Sequence, residues 1–133
     1  MVIDTNVVVS ALLFSGTLER LRSMWQSGRL LPFISAPILE EYLQVLAYPR
    51  FELAEKEIDF LVYRQILPYF EVVTVAGDTP VIASDPSDDK FLHCAVAAKA
   101  DALVSGDRHL LNLGNYRHIP ILSPSKLLQR ICE

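Results

Sequence analysis

The 133-residue chain has only two cysteines, Cys94 and Cys132, far apart and without metal-ligand spacing. No disulfide framework is implied, and in a cytosolic setting both thiols are expected to be reduced and buried. No apolar run reaches the ~18 residues that span a bilayer. The opening MVIDTN lacks the basic-then-apolar order of a signal peptide, so a cytoplasmic protein with no membrane attachment is expected. A basic excess is also missing: the formal net charge of −4 speaks mildly against nonspecific nucleic-acid binding. Neither GxxxxGK[ST] nor GxGxxG occurs, so nucleotide-driven and dinucleotide chemistry lack their phosphate-cradling loops. Repeats, low-complexity tracts and linkers are absent as well.

Apolar residues, by contrast, make up 51% of the chain, enough for one domain over residues 1–133 with an adequate core. Val2 and Ile3 form a strand that ends in Asp4, and Val7 to Leu13 is helix-competent. Thr17 can cap a helix through Trp25, closed by Gly28. Leu31 to Ser35 suggests a second strand, with Ser35 capping a helix from Pro37 to Leu46. Ala54 to Leu67 is amphipathic and stops at Pro68; Phe70 to Val75 is a third strand, followed by a loop over Ala76 to Ser84. Ile119 to Leu122 is a fifth strand, and Ser123-Pro124 starts the last helix.

The fourth strand belongs to the stretch DPSDDKFLHCAVAAKADALVSGD, Asp85 to Asp107. Asp85 can cap a helix whose first position is Pro86 and which runs to about Ala100. At ~100° per residue, Asp88 aligns with Leu92, Ala95 and Lys99 and so points inward, whereas Asp89 turns toward the edge. Ala102 to Ser105 is then a short buried strand, with Asp107 just beyond its carboxyl end. Taken singly these acids are unremarkable, since a helix dipole stabilises an acid in its first turn and aspartate is common in turns. On the Pro37–Leu46 helix, Glu40 falls among polar positions and Glu41 borders the apolar arc.

Strands alternating with helices give an α/β fold, a three-layer sandwich with a central parallel sheet of about five strands. Ligands bind such sheets outside the carboxyl ends of the strands. Asp4 and Asp107 stand there directly, and Asp88 and Glu41 lie on helices entered from that edge. Four acids on one rim favour a functional metal site. Oxygen ligands without cysteine or histidine suit Mg²⁺ or Mn²⁺ rather than zinc, and such ions near carboxylates serve phosphoryl chemistry. A nuclease or phosphatase follows. Arg20, Arg22, Arg29, Arg108, Arg117, Lys126 and Arg130 are the candidates for a basic rim, each of them ordinary solvated surface by default.

VIDTN, SAPILEEYLQVL, DPSDDKFLHCA and LVSGDRHLL, in that order, resemble the PIN domain family, and within it the VapC-like toxins of toxin–antitoxin pairs. The resemblance covers nearly the whole chain. It implies a divalent-metal ribonuclease in which Asp4, Glu41, Asp88 and Asp107 carry the metal and the catalysis, with Asn6 and Ser105 as supporting polar groups. Asp85 and Asp89 compete for the third acidic position. It also implies homodimers, a small antitoxin partner, and cleavage of RNA to a 5′-phosphate and a 3′-hydroxyl. Among rivals, a haloacid-dehalogenase-like phosphatase would need a second acid where Asn6 stands. A receiver-like signalling domain would need a lysine after a late strand, where Ser105-Gly106-Asp107 supplies none. A catalytically silent RNA- or protein-binding module and a stand-alone RNA-processing nuclease remain alternatives.

Overall fold

The computed structural model describes residues 1–75 and 86–131. Strand β1 (Val2–Ile3) is fully buried on both residues and passes directly into helix α1 (Thr5–Leu13) through Asp4. Asp4 is extended there, and its carboxylate accepts the Val7 N–H at 3.1 Å, so one residue ends a strand and caps a helix. Helix α2 (Glu19–Gln26) begins after a turn at Leu18 rather than on a Thr17 cap. It does close as expected: Gly28 takes φ +83°, the left-handed geometry that lets Arg29 N bond back to Met24 O at 2.9 Å.

Strand β2 (Phe33–Ile34) leads into α3 (Ala36–Leu46). Ser35 stands at its N-cap position, but the hydroxyl makes no capping bond. Tyr42 is fully buried and donates its hydroxyl to Ile3 O at 2.6 Å, which ties α3 to the end of β1. A 3₁₀ turn follows at Pro49–Phe51. Helix α4 (Glu55–Phe60) then widens into π-helical turns over Leu61–Ile66. That segment receives the Trp25 indole N–H on Gln65 O at 2.9 Å, while Trp25 packs edge-on against Phe70. Strand β3 is Glu71–Val72.

Beyond the undescribed stretch, a 3₁₀ turn at Pro86–Asp88 precedes α5 (Asp89–Ala98). Then come β4 (Leu103–Val104), α6 (Arg108–Leu113), β5 (Asn115–Tyr116), β6 (Ile119–Leu122) and α7 (Pro124–Ile131). Ser123 starts α7, its Oγ accepting from Lys126 N at 3.2 Å.

The strands form one sheet in the order β3-β2-β1-β4-β6-β5, flanked by helices. All neighbours are parallel except β5 and β6. The α/β class and the mostly parallel sheet thus stand as expected, with one strand more among the described residues than the five anticipated. The extra strand, β5, turns back to β6 through Arg117 and His118, whose φ values are 47° and 68°. Two consecutive positive φ angles are the signature of a type I′ hairpin, a turn normally announced by Asn-Gly. The main core gathers the β1 and β4 residues with Leu21, Trp25, Ile38, Tyr42, Phe91 and Leu92. A satellite cluster of Val9, Val45, Leu46 and Val62 lies under Phe51 and Leu53.

Candidate active site

Parallel pairing of β1 with β4 sets two acids side by side at the carboxyl edge of the sheet. Asp4 N donates to Val104 O at 2.9 Å, and Ser105 N donates to Leu122 O at 2.9 Å, so both residues leave their strands at the same level. Ser105, fully buried, donates its hydroxyl to Asp4 Oδ2 and accepts from Asp107 N at 2.9 Å. Asp107 in turn caps α6, its Oδ1 accepting His109 N at 2.7 Å. One serine hydroxyl therefore fixes the spacing of two acids that are over a hundred residues apart in sequence.

Glu41 comes from α3. Its Oε2 accepts from Thr5 Oγ1, and its Oε1 pairs with Lys90 Nζ at 2.7 Å. Lys90 also donates to Ser87 O at 2.7 Å, which holds the ammonium across the mouth between α3 and α5. Glu41 is half-buried and Glu40 exposed, in keeping with the arc on α3. Thr5 and Lys90 escape sequence reading. Lys90 carries only a weak signal, a cation directly after two acids, and its partner is 49 residues away.

The facing of Asp89 needs a correction: expected at the edge, it is 5% exposed in the first turn of α5, while Asp88 is half-buried with its Oδ2 buried, in keeping with its inward placement. The cause is the 3₁₀ turn over Pro86–Asp88: its tighter winding shifts the phase of everything that follows relative to a helix started at Pro86. Both aspartates interact with their surroundings. Asp85 and Cys132 lie outside the described residues. Asn6 is exposed in the first turn of α1, two residues past Asp4.

Electrostatically, Asp4 is the strained member. Burial raises its pKa above the ordinary 3.8; the hydrogen bonds from Ser105 and Val7 N–H oppose that, and the negative charges of Asp107 and Glu41 raise it further. Both neighbouring charges act on Asp4 in the same direction as its burial. Oxygen-only donors under mutual repulsion fit a hard cation in kind. Among the described residues, however, no three His, Cys, Asp or Glu side chains stand together as a ready-made cation cage. Glu41 is already engaged by Lys90. One candidate for a basic rim is already engaged, since Arg22 pairs with Glu19 at 3.1 Å.

Among the described residues no helix is long and apolar enough to cross a membrane. No curated protein matches the chain. A family model for the PIN domain does, over residues 1–109, a span that contains Asp4, Glu41, Asp88, Asp89, Ser105 and Asp107 and stops short of β5, β6 and α7. With that match covering most of the sequence and the parallel α/β sheet beneath it, the chain belongs to the PIN domain family.

Proposed function

We propose that the protein is a divalent-metal-dependent endoribonuclease that hydrolyses RNA phosphodiester bonds at the β1/β4 edge. PIN domains are generally nucleases and typically use divalent ions. The observation that carries the reading onto this chain is the bonded acid set: Ser105 joins Asp4 to the Asp107 backbone, and Thr5, the neighbour of Asp4, donates to Glu41. Asp4, Glu41, Asp107 and an aspartate at the start of α5, Asp88 or Asp89, would hold Mg²⁺ or Mn²⁺. Bound there, the ion supplies a Lewis acid for the phosphate and a water of lowered pKa.

The chain's own groups do the rest. Ser105 holds Asp4 and the Asp107 backbone in register, and Thr5 fixes one Glu41 oxygen. Lys90 keeps the other oxygen neutralised until a cation replaces it. Asn6, exposed beside Asp4, is available to a phosphate or ribose. The family resemblance supports a toxin role with a small antitoxin partner, a homodimeric state and a cytoplasmic site of action. The test is incubation of single-stranded RNA and of matched DNA in Mn²⁺, Mg²⁺ or chelator, with end-group analysis. Metal-dependent RNA fragments carrying 5′-phosphates are expected; metal-independent cutting or no cutting refutes the reading.

A second reading has a specific observation in its favour. Without a preformed cage among the described residues, and with Lys90 on Glu41, the domain would serve as a catalytically silent RNA- or protein-binding module. RNA binding without metal-dependent cutting in the same assay selects it.

A further inference from the structure

Helix α1 does more than carry Asp4 into the site. Asn6 and Ser10, one turn apart on α1, and Phe14, the extended residue that ends it, border a cavity of about 600 Å³ whose other side is formed by Arg50, Phe51 and Leu53. The volume falls within the ~300–1,000 Å³ usual for ligand pockets. The stretch from Asn6 to Leu13 rises about 10 Å along the helix, so the cavity starts beside the acid-lined edge and runs away from it.

Two features of its wall are unusual for plain surface. Phe14 is 56% exposed, its ring centroid 6.3 Å from that of Phe51 at a tilt of 56°. Arg50 lies with its guanidinium carbon 4.8 Å from the Phe51 centroid and 5.6 Å from that of Tyr48, and among the described residues it makes no ion pair. The Pro49–Phe51 turn presents it this way: Glu52 at φ 51° reverses the chain after the turn, and Phe51 roots the turn in the satellite core. A guanidinium held over aromatic rings keeps N–H donors for an anion such as a phosphate. None of the lining side chains is acidic.

We propose that this cavity is a nucleotide subsite for single-stranded RNA, in which an unpaired base stacks on Phe14 and Phe51 and Arg50 pairs with its phosphate. The proposal rests on the ribonuclease reading and deepens it: the subsite holds a nucleotide flanking the bond that the acids would cut. Base–aromatic stacking tolerates every base because each has a π face. Sequence-tolerant grip is therefore expected here, with charge complementarity coming from one arginine rather than from a basic surface. An apolar peptide would leave Asn6, Ser10 and Arg50 facing it without partners, which is why RNA is the favoured occupant.

The experiment is fluorescence anisotropy with labelled oligoadenylate and oligouridylate in chelator, so that nothing is cut, across a salt series. Phe14→Ala should weaken binding roughly 5- to 150-fold, the range of one lost stacking contact, while Phe14→Trp should restore it. Arg50→Gln should weaken binding and flatten the plot of log affinity against log salt by about 0.7, one single-strand phosphate contact. Lys99→Gln, exposed at the far end of α5 from the acids, should stay within about twofold of the wild type on the same scale. Thermal melts confirm that each variant is folded.

Wild-type affinity in both cavity variants, an unchanged salt slope for Arg50→Gln, or no RNA binding by the wild type overturns the subsite. So does a copurifying protein released by Phe14→Ala while RNA binding is untouched. Cleavage in Mn²⁺ separates the two claims: cutting by variants that bind as tightly as wild type leaves the nuclease and removes the subsite. Binding that depends on Phe14 and Arg50 without any cutting keeps the subsite and removes the nuclease.

Discussion

Ser105 and Lys90 are small investments of chemistry with different signs. Ser105 stabilises the ionised form of Asp4 by donating to it, yet burial and the neighbouring charges win, and the pKa of Asp4 stays raised. A carboxyl whose folded pKa lies above its unfolded value binds its proton more tightly in the native state. The stability it confers is full below the unfolded value, 3.8, and is lost as pH rises through the folded one. In chelator, the difference in stability between wild type and Asp4→Asn should therefore tilt against the wild type as pH rises above that value. Urea melts of both proteins from acid to neutral pH check this, and a difference that does not vary with pH contradicts it. Lys90 occupies Glu41 Oε1 and, on the proposed reading, would compete with the metal for it. A half-buried pair of this kind is worth roughly 0.2–1 kcal/mol, so Lys90→Met should tighten Mn²⁺ binding by up to about fivefold on the same basis. Weaker binding in calorimetric titration would make Lys90 a support for the site rather than a competitor.

At the scale of elements, the site depends on where strands end and helices begin. Tyr42 locks that junction from below, its hydroxyl on Ile3 O inside the core. Tyr42→Phe leaves that carbonyl without its donor and should cost about 1–3 kcal/mol in urea unfolding; a loss under about 0.5 kcal/mol would mean that another donor takes over. The same junctions decide what the sequence could reveal. Asp4 and Asp107 were legible because each follows a short apolar run directly, and Glu41 because a single helix of regular phase carries it. Asp89 was misplaced at the edge, since the phase of α5 is set by a 3₁₀ turn that no local signal announces. Strand β5 escaped because its hairpin turn is built from Arg117 and His118 instead of Asn-Gly. Long-range partners such as Lys90 for Glu41 and Thr5 for Glu41 are properties of packing and leave no periodic trace. Arg50 could have been noticed: Tyr48-Pro49-Arg50-Phe51 interleaves a cation with aromatics.

For the whole molecule, a formal charge of −4 would ordinarily repel RNA, and the distribution of charge matters more than its sum. The acids that contribute to it are partly gathered at one pole, where cations would offset them, and Arg50, over two aromatic rings, lines a cavity whose wall includes Asn6. Substrate grip and bond cleavage are thus assigned to adjacent patches of one surface, linked by α1. The most direct measurement is the single-turnover rate of single-stranded RNA cleavage in Mn²⁺ by wild type and Asp4→Asn, each repeated in chelator. Wild type should cut only with metal, and Asp4→Asn should be slower by at least about 100-fold, beyond the loss seen when a mere supporting partner of a metal ligand is removed. Equal rates for the two proteins, or cutting that survives the chelator, would contradict the assignment of catalysis to these acids.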